Sequence, residues 1–201
     1  PGAIIATIAA APFPLDRNYH YFDDQDRLHA ALDQWRPDLV EVASPWTSAA
    51  MVGRWRGDAP RALIMHCDFL SAYPYRWLQG MFSISTIDRR LEWYWRHLRK
   101  LDRQFDFVVS ASDDLTQRLR AGGVAKAQTI PMGVQPDVFS PDLRDEDLRR
   151  EMLEQCGLPP ETTLLVGLGR MAPEKRWPMI CEAVLAAGSH HAVGLVLFGA
   201  G

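Results

Sequence analysis

Short apolar runs alternate with segments of helical periodicity along this chain, and that alternation restricts its fold more than any other feature. The helical segments cover residues 23–35, 87–105, 113–121, 145–155 and 178–187. The apolar runs, each bounded by turn residues, cover residues 4–10, 39–43, 62–67, 107–110, 128–132, 164–168 and 193–198. Near-continuous apolarity is typical of strands buried on both faces of a parallel sheet. The sequence therefore predicts an α/β fold with right-handed crossovers.

Composition and charge exclude several classes of protein. The 201 residues are 47% hydrophobic and 23% charged, which is typical of a globular chain and not of a disordered tail, a collagen or a coiled coil. A net charge of −3 argues against a nucleic-acid partner, because such proteins carry a basic footprint. The three cysteines form no C-x-x-C, and no histidine has a metal-ligand spacing, so no metal site is predicted and a reducing cytoplasm is favoured.

A polar segment with prolines divides the pattern into two domains. Residues 136–147, just after Pro131-Met132-Gly133, hold two prolines and five acidic residues without an apolar period, as linkers do. We expect an N-terminal domain over residues 1–139, a linker and helix over 140–157, and the start of a C-terminal domain over 158–201. Fewer residues than a domain needs follow Gly157, so we expect a piece of a longer protein.

The most informative segment, residues 163–178, runs from an apolar strand through a glycine-containing loop to the start of a helix. Folds of this class bind ligands at the carboxyl ends of their strands. Gly169 lets the backbone approach a ligand, the helix N-terminus attracts anions, and Arg170 and Lys175 lie in the same loop. The sequence predicts a metal-free site for a diphosphate. The alternative is a solvated loop in which these cations and Arg176 have no ligand.

The same loop also matches the dinucleotide fingerprint G-x-G-x-x-A through Gly167, Gly169 and Ala172, which suggests an NAD-dependent oxidoreductase. That fingerprint requires an acidic residue at the end of the next strand and a helix that opens directly at the glycines. Here the next strand ends without Asp or Glu, and two prolines delay the helix. Both departures count against a nicotinamide cofactor.

His66 lies at the carboxyl end of another predicted strand. Asp68 follows two residues later, where it can orient an imidazole or contact a substrate hydroxyl. A histidine in this position is often purely structural, so position alone assigns no function. The chain contains neither a nucleophile elbow nor a P-loop, and therefore a hydrolase triad and a kinase are unsupported.

Residues 88–100 are basic and aromatic and can be interpreted in two ways. They can lie on an anionic membrane surface. Alternatively, Trp95 and Leu98 pack on the sheet while the arginines face water. Asp88 and Glu92 dilute the positive charge, which favours packing, and membrane contact stays as the alternative.

Four segments resemble glycosyltransferase family 4, whose members have the GT-B fold. Residues 167–175 (GLGRMAPEK) resemble the family's G-R-L-x-x-E-K segment, and residues 130–141 (IPMGVQPDVFSP) resemble its P-N-G-V-D…F-x-P segment, with Met132 in place of Asn. Residues 107–115 (FVVSASDDL) resemble its strand that ends in Ser before a helix. Residues 65–69 (MHCDF) are similar to the H-T-D-F segment of lipid- and mannose-type members.

The resemblance implies a GT-B fold of two Rossmann-like domains with parallel sheets, both incomplete in this chain, and an active site in the cleft between them. It implies a retaining, metal-independent transfer of a sugar from a UDP- or GDP-linked donor to a glycan or lipid acceptor, without a further cofactor. His66 would be the catalytic contact to the donor sugar. Gly169, Arg170 and Lys175 would hold the donor diphosphate, because preorganised cations stabilise the charge on a leaving diphosphate.

Further candidate residues follow from the same resemblance. Asp68 and Ser112 are candidates for contact with the acceptor or the donor sugar, and Gly199 and Gly201 are candidates for donor binding. The family's first glycine-rich loop and its distal E-x7-E segment are absent from the sequence, so this chain alone is expected to be inactive. A non-catalytic nucleotide-sugar binding module is a further alternative. We expect a cytoplasmic location, with peripheral membrane contact left open.

Overall fold

The computed structural model describes residues 5–13, 16–78 and 80–199. These residues form two compact units, and the division between the units lies between Gly133 and Val134. We call them unit 1 and unit 2.

An antiparallel hairpin precedes the main sheet of unit 1. Strand β1 (Ala11–Phe13) pairs with β2 (Asp16–Tyr21), and Ala11 lies opposite Tyr21. The predicted strand over residues 4–10 is wrong for the described residues 5–10, which have no regular secondary structure. The strand begins at Ala11 because a strand forms only where a partner strand can pair with it. The partner here is β2, whose sequence is polar, so no apolar run predicts it.

Four parallel strands form the main sheet of unit 1. In spatial order they are β3 (Val40–Val42), β4 (Arg61–Met65), β5 (Phe107–Ser110) and β6 (Ala127–Thr129). The register places Met65 opposite Ser110, and Ser110 opposite Thr129. The carboxyl ends of β4, β5 and β6 therefore lie side by side, as the predicted parallel sheet requires.

Helices provide the crossovers of unit 1, and the predicted helix over residues 87–105 is in fact two helices that meet at Leu91. Leu91 has φ −100° and ψ 22°, outside the helical region. Apolar residues keep helical spacing across the break, so periodicity alone does not reveal it. The helices of unit 1 are α1 (Gln25–Trp35), α2 (Thr47–Val52), α3 (Phe69–Ala72), α4 (Pro74–Leu78), α5 (Ile84–Arg90), α6 (Glu92–Gln104) and α7 (Asp113–Ala121).

The core of unit 1 contains side chains of both the sheet and α6. Leu63 and Val108 belong to the strands, whereas Tyr94 and Leu98 belong to α6, and each of these residues is at most 2% exposed. Burial of one such side chain stabilises the fold by roughly 1.5–3 kcal/mol. Trp95 is also buried. The apolar side of α6 therefore packs in the protein, as the packing interpretation of residues 88–100 predicts.

Unit 2 contains a parallel β–α–β arrangement preceded by a helix. Helix α8 (Glu146–Gln155) comes first, and then β7 (Thr163–Leu168), α9 (Trp177–Gly188) and β8 (Val193–Phe198). Strands β7 and β8 pair in parallel, with Leu168 opposite Phe198. None of the helices in the described parts of either unit is long and apolar enough to cross a membrane.

Asp145 caps α8, because its carboxylate accepts hydrogen bonds from the backbone amides of Asp147 and Leu148 at 2.9 and 3.0 Å. We expect Asp145→Ala to lower the free energy of unfolding of unit 2 by about 1 kcal/mol, since these first-turn amides lose their acceptor. Urea unfolding followed by circular dichroism measures the change. Glu151→Ala, an exposed substitution in the same helix, is the control. Equal losses in the two variants would contradict a capping effect.

Candidate functional site

Polar side chains gather where β4, β5 and β6 end. Ser110, the last residue of β5, is 1% exposed, and its hydroxyl lies 2.9 Å from the Thr116 hydroxyl. The hydroxyl of Thr129, the last residue of β6, donates to Asp113 Oδ1 at 2.7 Å and lies 2.8 Å from Thr116 Oγ1. Buried polar groups are normally paired in this way. The hydroxyls at the ends of β5 and β6 are therefore engaged within the protein.

His66 differs from these residues. It directly follows β4, and its side chain is exposed. Within the described residues, no hydrogen bond or ion pair engages its imidazole. The neighbouring Cys67 is also exposed, and its thiol is free. His66 is thus available to a ligand at the strand end where the sequence predicts a site.

Asp68, in contrast, is tied into the protein. Its carboxylate caps α3 by accepting from the amide of Leu70 at 2.9 Å and from the Ser71 hydroxyl at 2.6 Å. It also forms an ion pair with Arg118 at 2.5 Å, and its side chain is 13% exposed. Among the described contacts, none joins Asp68 to His66. The structure therefore shows Asp68 fixing the turn that follows His66, and its predicted contact with a sugar stays a prediction.

Arg118 of α7 joins Asp68 to a second carboxylate and a phenol. Its Nη2 lies 3.3 Å from Asp88 Oδ1 and also donates to the Tyr75 hydroxyl, which in turn donates to Asp88. The guanidinium carbon lies 4.9 Å from the centre of the Tyr75 ring and 5.4 Å from that of Trp95, which is within cation–π range. We call Asp68, Tyr75, Asp88 and Arg118 the arginine network.

The geometry of this network shifts the pKa values of two of its members. Burial raises the pKa of Tyr75 above its usual range, and the hydrogen bond to Asp88 raises it further. The phenol therefore keeps its proton and remains a donor to Asp88. Burial alone lowers the pKa of Arg118, but Asp68, Tyr75 and Asp88 together raise it above its usual value. Arg118 is therefore a permanent cation beside the turn that carries His66.

The arginine network has no local sequence signature. Its members are separated by up to 50 positions along the chain, and no local pattern connects them. The only available signal is the placement of Asp68 near the end of one predicted strand and of Arg118 in the helix that follows the neighbouring strand.

Ser112 has a structural role as well. Its hydroxyl caps α7 by accepting from the amide of Leu115 at 3.2 Å, and its carbonyl accepts from the Ser110 hydroxyl at 2.9 Å. The side chain is exposed at the same edge of the sheet as His66. Its predicted contact with a sugar stays a prediction.

In unit 2, the loop after β7 brings Gly169, Arg170 and Lys175 together. Gly169 has φ 156°, and a Cβ atom placed on it would lie 3.3 Å from Lys175 Cε, so the lysine stem crosses over the glycine backbone. The indole of Trp177 donates to the Arg170 carbonyl at 2.9 Å and holds the loop. Arg170 and Lys175 are both exposed. The loop therefore presents two cationic side chains beside a glycine that allows close approach.

Gly199 packs against that loop. A Cβ atom on Gly199 would lie 1.8 Å from the carbonyl oxygen of Gly169, so the ends of β7 and β8 approach more closely than any side chain allows. This contact gives Gly199 a packing role, while its predicted part in donor binding stays a prediction. Gly201, the other glycine predicted to bind the donor, lies outside the described residues.

The described residues contain no group of three or more His, Cys, Asp or Glu side chains that could hold a metal ion. Cys67 and Cys156 are exposed, Cys181 is half-buried, and all three are free thiols.

Comparisons with known proteins point to one family. The model of Glycosyltransferase Family 4 matches residues 2–138. A curated protein of Mycobacterium tuberculosis (strain CDC 1551 / Oshkosh), named GDP-mannose-dependent alpha-mannosyltransferase, is 29% identical over 177 residues, which are 87% of this chain and 42% of that protein. The crystal structure of Anabaena Alr3699/HepE in complex with UDP and glucose matches 87% of this chain and 43% of its own, with a TM-score of 0.53 and 19% identity. The chain therefore spans less than half the length of either protein.

Proposed function

The chain belongs to glycosyltransferase family 4 and has the GT-B fold, and from this premise we propose that the protein is a retaining glycosyltransferase. It transfers a sugar from a nucleotide-diphosphate sugar to a glycan or lipid acceptor. The observation that carries this proposal is the loop of unit 2 in which Arg170 and Lys175 flank Gly169 at the carboxyl end of β7.

The chemistry of sugar transfer explains why such a loop is useful. When the bond between the sugar and the diphosphate breaks, negative charge develops on the leaving oxygens. Fixed cations stabilise that charge without reorganising during the reaction. The stem of Lys175 lies against Gly169, so a phosphate that contacts the glycine backbone is within reach of the ammonium group. We assign Gly169, Arg170 and Lys175 to the donor diphosphate, and no metal is required for this role.

His66 is assigned to the donor sugar. Its imidazole is exposed and unpaired within the described residues, which leaves a ring nitrogen available to a sugar hydroxyl. We assign no enzymic nucleophile. Asp68 and Ser112 remain candidates for contact with a sugar, although both already cap helices.

The donor is proposed to carry GDP or UDP. The curated relative is named for GDP-mannose, and HepE was crystallised with UDP and glucose. GDP-mannose is the first donor to test, because the mannosyltransferase is the more similar of the two in sequence. Three free thiols support the proposed reducing, cytoplasmic location.

The position at which α9 begins favours a loop that binds a diphosphate over the dinucleotide fingerprint that binds a nicotinamide cofactor. Helix α9 begins at Trp177, eight residues after Gly169, whereas the fingerprint opens its helix directly at the glycines. The short turn Pro173–Lys175 fills the interval and carries one of the two cations.

A titration and a turnover assay on the complete protein test the proposal. We expect saturable binding of GDP or UDP in calorimetry, no binding of NAD, and release of the free nucleotide from the matching sugar donor in the presence of an acceptor or of water. Saturable NAD binding without GDP or UDP binding would reverse the conclusion in favour of an oxidoreductase. Nucleotide-sugar binding without turnover in any acceptor screen would identify a binding module.

A further inference from the structure

Unit 1 carries exposed apolar side chains that are not among the residues assigned to sugar transfer. Within residues 73–84, which we call the aromatic segment, five large apolar side chains are 41–69% exposed. They are Tyr73, Trp77, Met81, Phe82 and Ile84. Isolated exposed apolar residues are ordinary, but a concentration of this kind marks an interaction surface.

The described residues of the aromatic segment, which are all but Gln79, are folded, so their exposure does not come from a lack of structure. The segment contains α4 and the start of α5. The amides of Met81 and Phe82 both donate to the Leu78 carbonyl, at 2.9 and 2.8 Å. The rings of Tyr73 and Trp77 lie 5.8 Å apart. The exposed side chains therefore project from a hydrogen-bonded helical segment.

Three arginines lie near these apolar side chains in the sequence. Arg76, Arg89 and Arg90 are exposed, and within the described part of the chain none of them has an acidic partner. The guanidinium carbon of Arg90 lies 5.5 Å from the centre of the Phe82 ring, which ties the charge to the aromatic segment.

The acidic residues of this region do not cancel that charge. Residues 68–100 contain six Arg and Lys but three Asp and Glu, in a chain whose net charge is −3. Each of the three acids forms an ion pair: Asp68 and Asp88 with Arg118, and Glu92 with Arg99. The exposed charge next to the aromatic segment is therefore positive.

We propose that the aromatic segment docks on an anionic lipid surface, with Trp77, Met81 and Phe82 at the boundary between headgroups and acyl chains and with Arg76, Arg89 and Arg90 against the headgroups. Exposed aromatic rings beside unpaired arginines fit such a surface, because membrane binding of this kind needs both apolar insertion and electrostatic attraction. This surface shares only Arg89 and Arg90 with residues 88–100, the stretch that the sequence suggested for membrane contact, whose Trp95 and Leu98 are buried.

A second copy of the chain fits the segment less well. A two-fold contact would bring the same patch of each copy together, and the unpaired arginines of both copies would then face one another and repel.

Co-sedimentation of the complete protein with vesicles tests the proposal. We expect binding to phosphatidylcholine vesicles that contain phosphatidylglycerol, weaker binding as salt is raised, and no binding to phosphatidylcholine alone. The double variant Arg89→Gln, Arg90→Gln should partition about 30-fold more weakly, since each basic residue near such a surface contributes about fivefold. Trp77→Ser should weaken binding about tenfold, through the loss of apolar insertion.

Matched controls come from the same unit. Trp35 is exposed, as are Arg56 and Arg103, and the described contacts give these two arginines no acidic partner. Trp35→Ser and the double variant Arg56→Gln, Arg103→Gln should bind vesicles like the parent, within about twofold, because these positions lie outside the aromatic segment. Circular dichroism verifies that each variant is folded.

Three results would overturn the proposal. The first is no binding to the anionic vesicles, and the second is equal losses in the aromatic-segment and control variants. The third is a dimer in analytical ultracentrifugation that Trp77→Ser converts to a monomer, since a second copy would then occupy the surface. None of these measurements depends on sugar transfer, so the proposal stands or fails independently of the proposed function.

Discussion

Lys175→Met in the complete protein is expected to lower the rate of donor turnover by about 10²- to 10³-fold, the usual cost of removing one group that stabilises developing negative charge. Methionine keeps an apolar stem to lie against Gly169, where the lysine stem now lies, and removes only the ammonium group. Because the charge on the diphosphate grows as the bond to the sugar breaks, kcat should fall more than the donor KM rises. Steady-state kinetics with the donor identified by titration measures both constants.

Arg176→Gln is the matched control for Lys175→Met. Arg176 is the next residue in the loop, is exposed, and follows the turn that Lys175 ends. We expect its kcat to stay within about threefold of the parent enzyme, because a charge outside the site is screened by water. Similar losses in the two variants would mean that the loop acts through its total charge, and the assignment of the diphosphate to Lys175 would be wrong.

Arg118→Leu is expected to lower the free energy of unfolding of unit 1 by about 2–3 kcal/mol. Breaking a buried ion pair from one side costs about 3–5 kcal/mol, because the other charge stays buried and uncompensated. Partial solvent access reduces that value here, since the side chains of Arg118 and Asp68 are 25% and 13% exposed. Chemical unfolding monitored by tryptophan fluorescence measures the loss.

Two further variants identify the source of that loss. Arg118→Lys keeps the charge but lacks the planar fork that reaches Asp68 and Asp88 together, so it should recover only part of the stability. Arg27→Leu removes the ion pair between Arg27 and Asp24, whose side chains are 64% and 45% exposed, respectively. It should lower the free energy of unfolding by less than about 0.5 kcal/mol. If Arg118→Leu were no more destabilising than Arg27→Leu, the arginine network would not hold the turn after β4.

Elements with local signals at both ends were predictable from the sequence. Strand β5 and helix α7 have the predicted bounds, because an apolar run defines the strand, Ser112 caps the helix and glycines end it. The break at Leu91 was not predictable, since good helix formers continue on both sides. The hairpin of β1 and β2 was also missed, because its second strand is polar and antiparallel pairing needs no apolar run.

The same difference between local and non-local sequence signals applies to the candidate site. The loop around Gly169 was found because its glycines, cations and helix start are consecutive in the sequence. The arginine network and the approach of Gly199 to the Gly169 carbonyl were not found, because each depends on side chains or backbone atoms that only the folded chain brings together. Local chemistry thus predicted which segments are candidates for ligand binding, whereas the groups that hold those segments in place are non-local.

The exposed thiol of Cys67, next to His66, is a position at which a spectroscopic reporter can be attached. A fluorophore attached there sits one residue from the imidazole assigned to the donor sugar, so its emission would follow the arrival of a ligand in real time. Cys156 is the other exposed thiol of the described residues and can be replaced by serine to make the labelling selective. Occupancy at the end of β4 can then be followed optically before any acceptor has been identified.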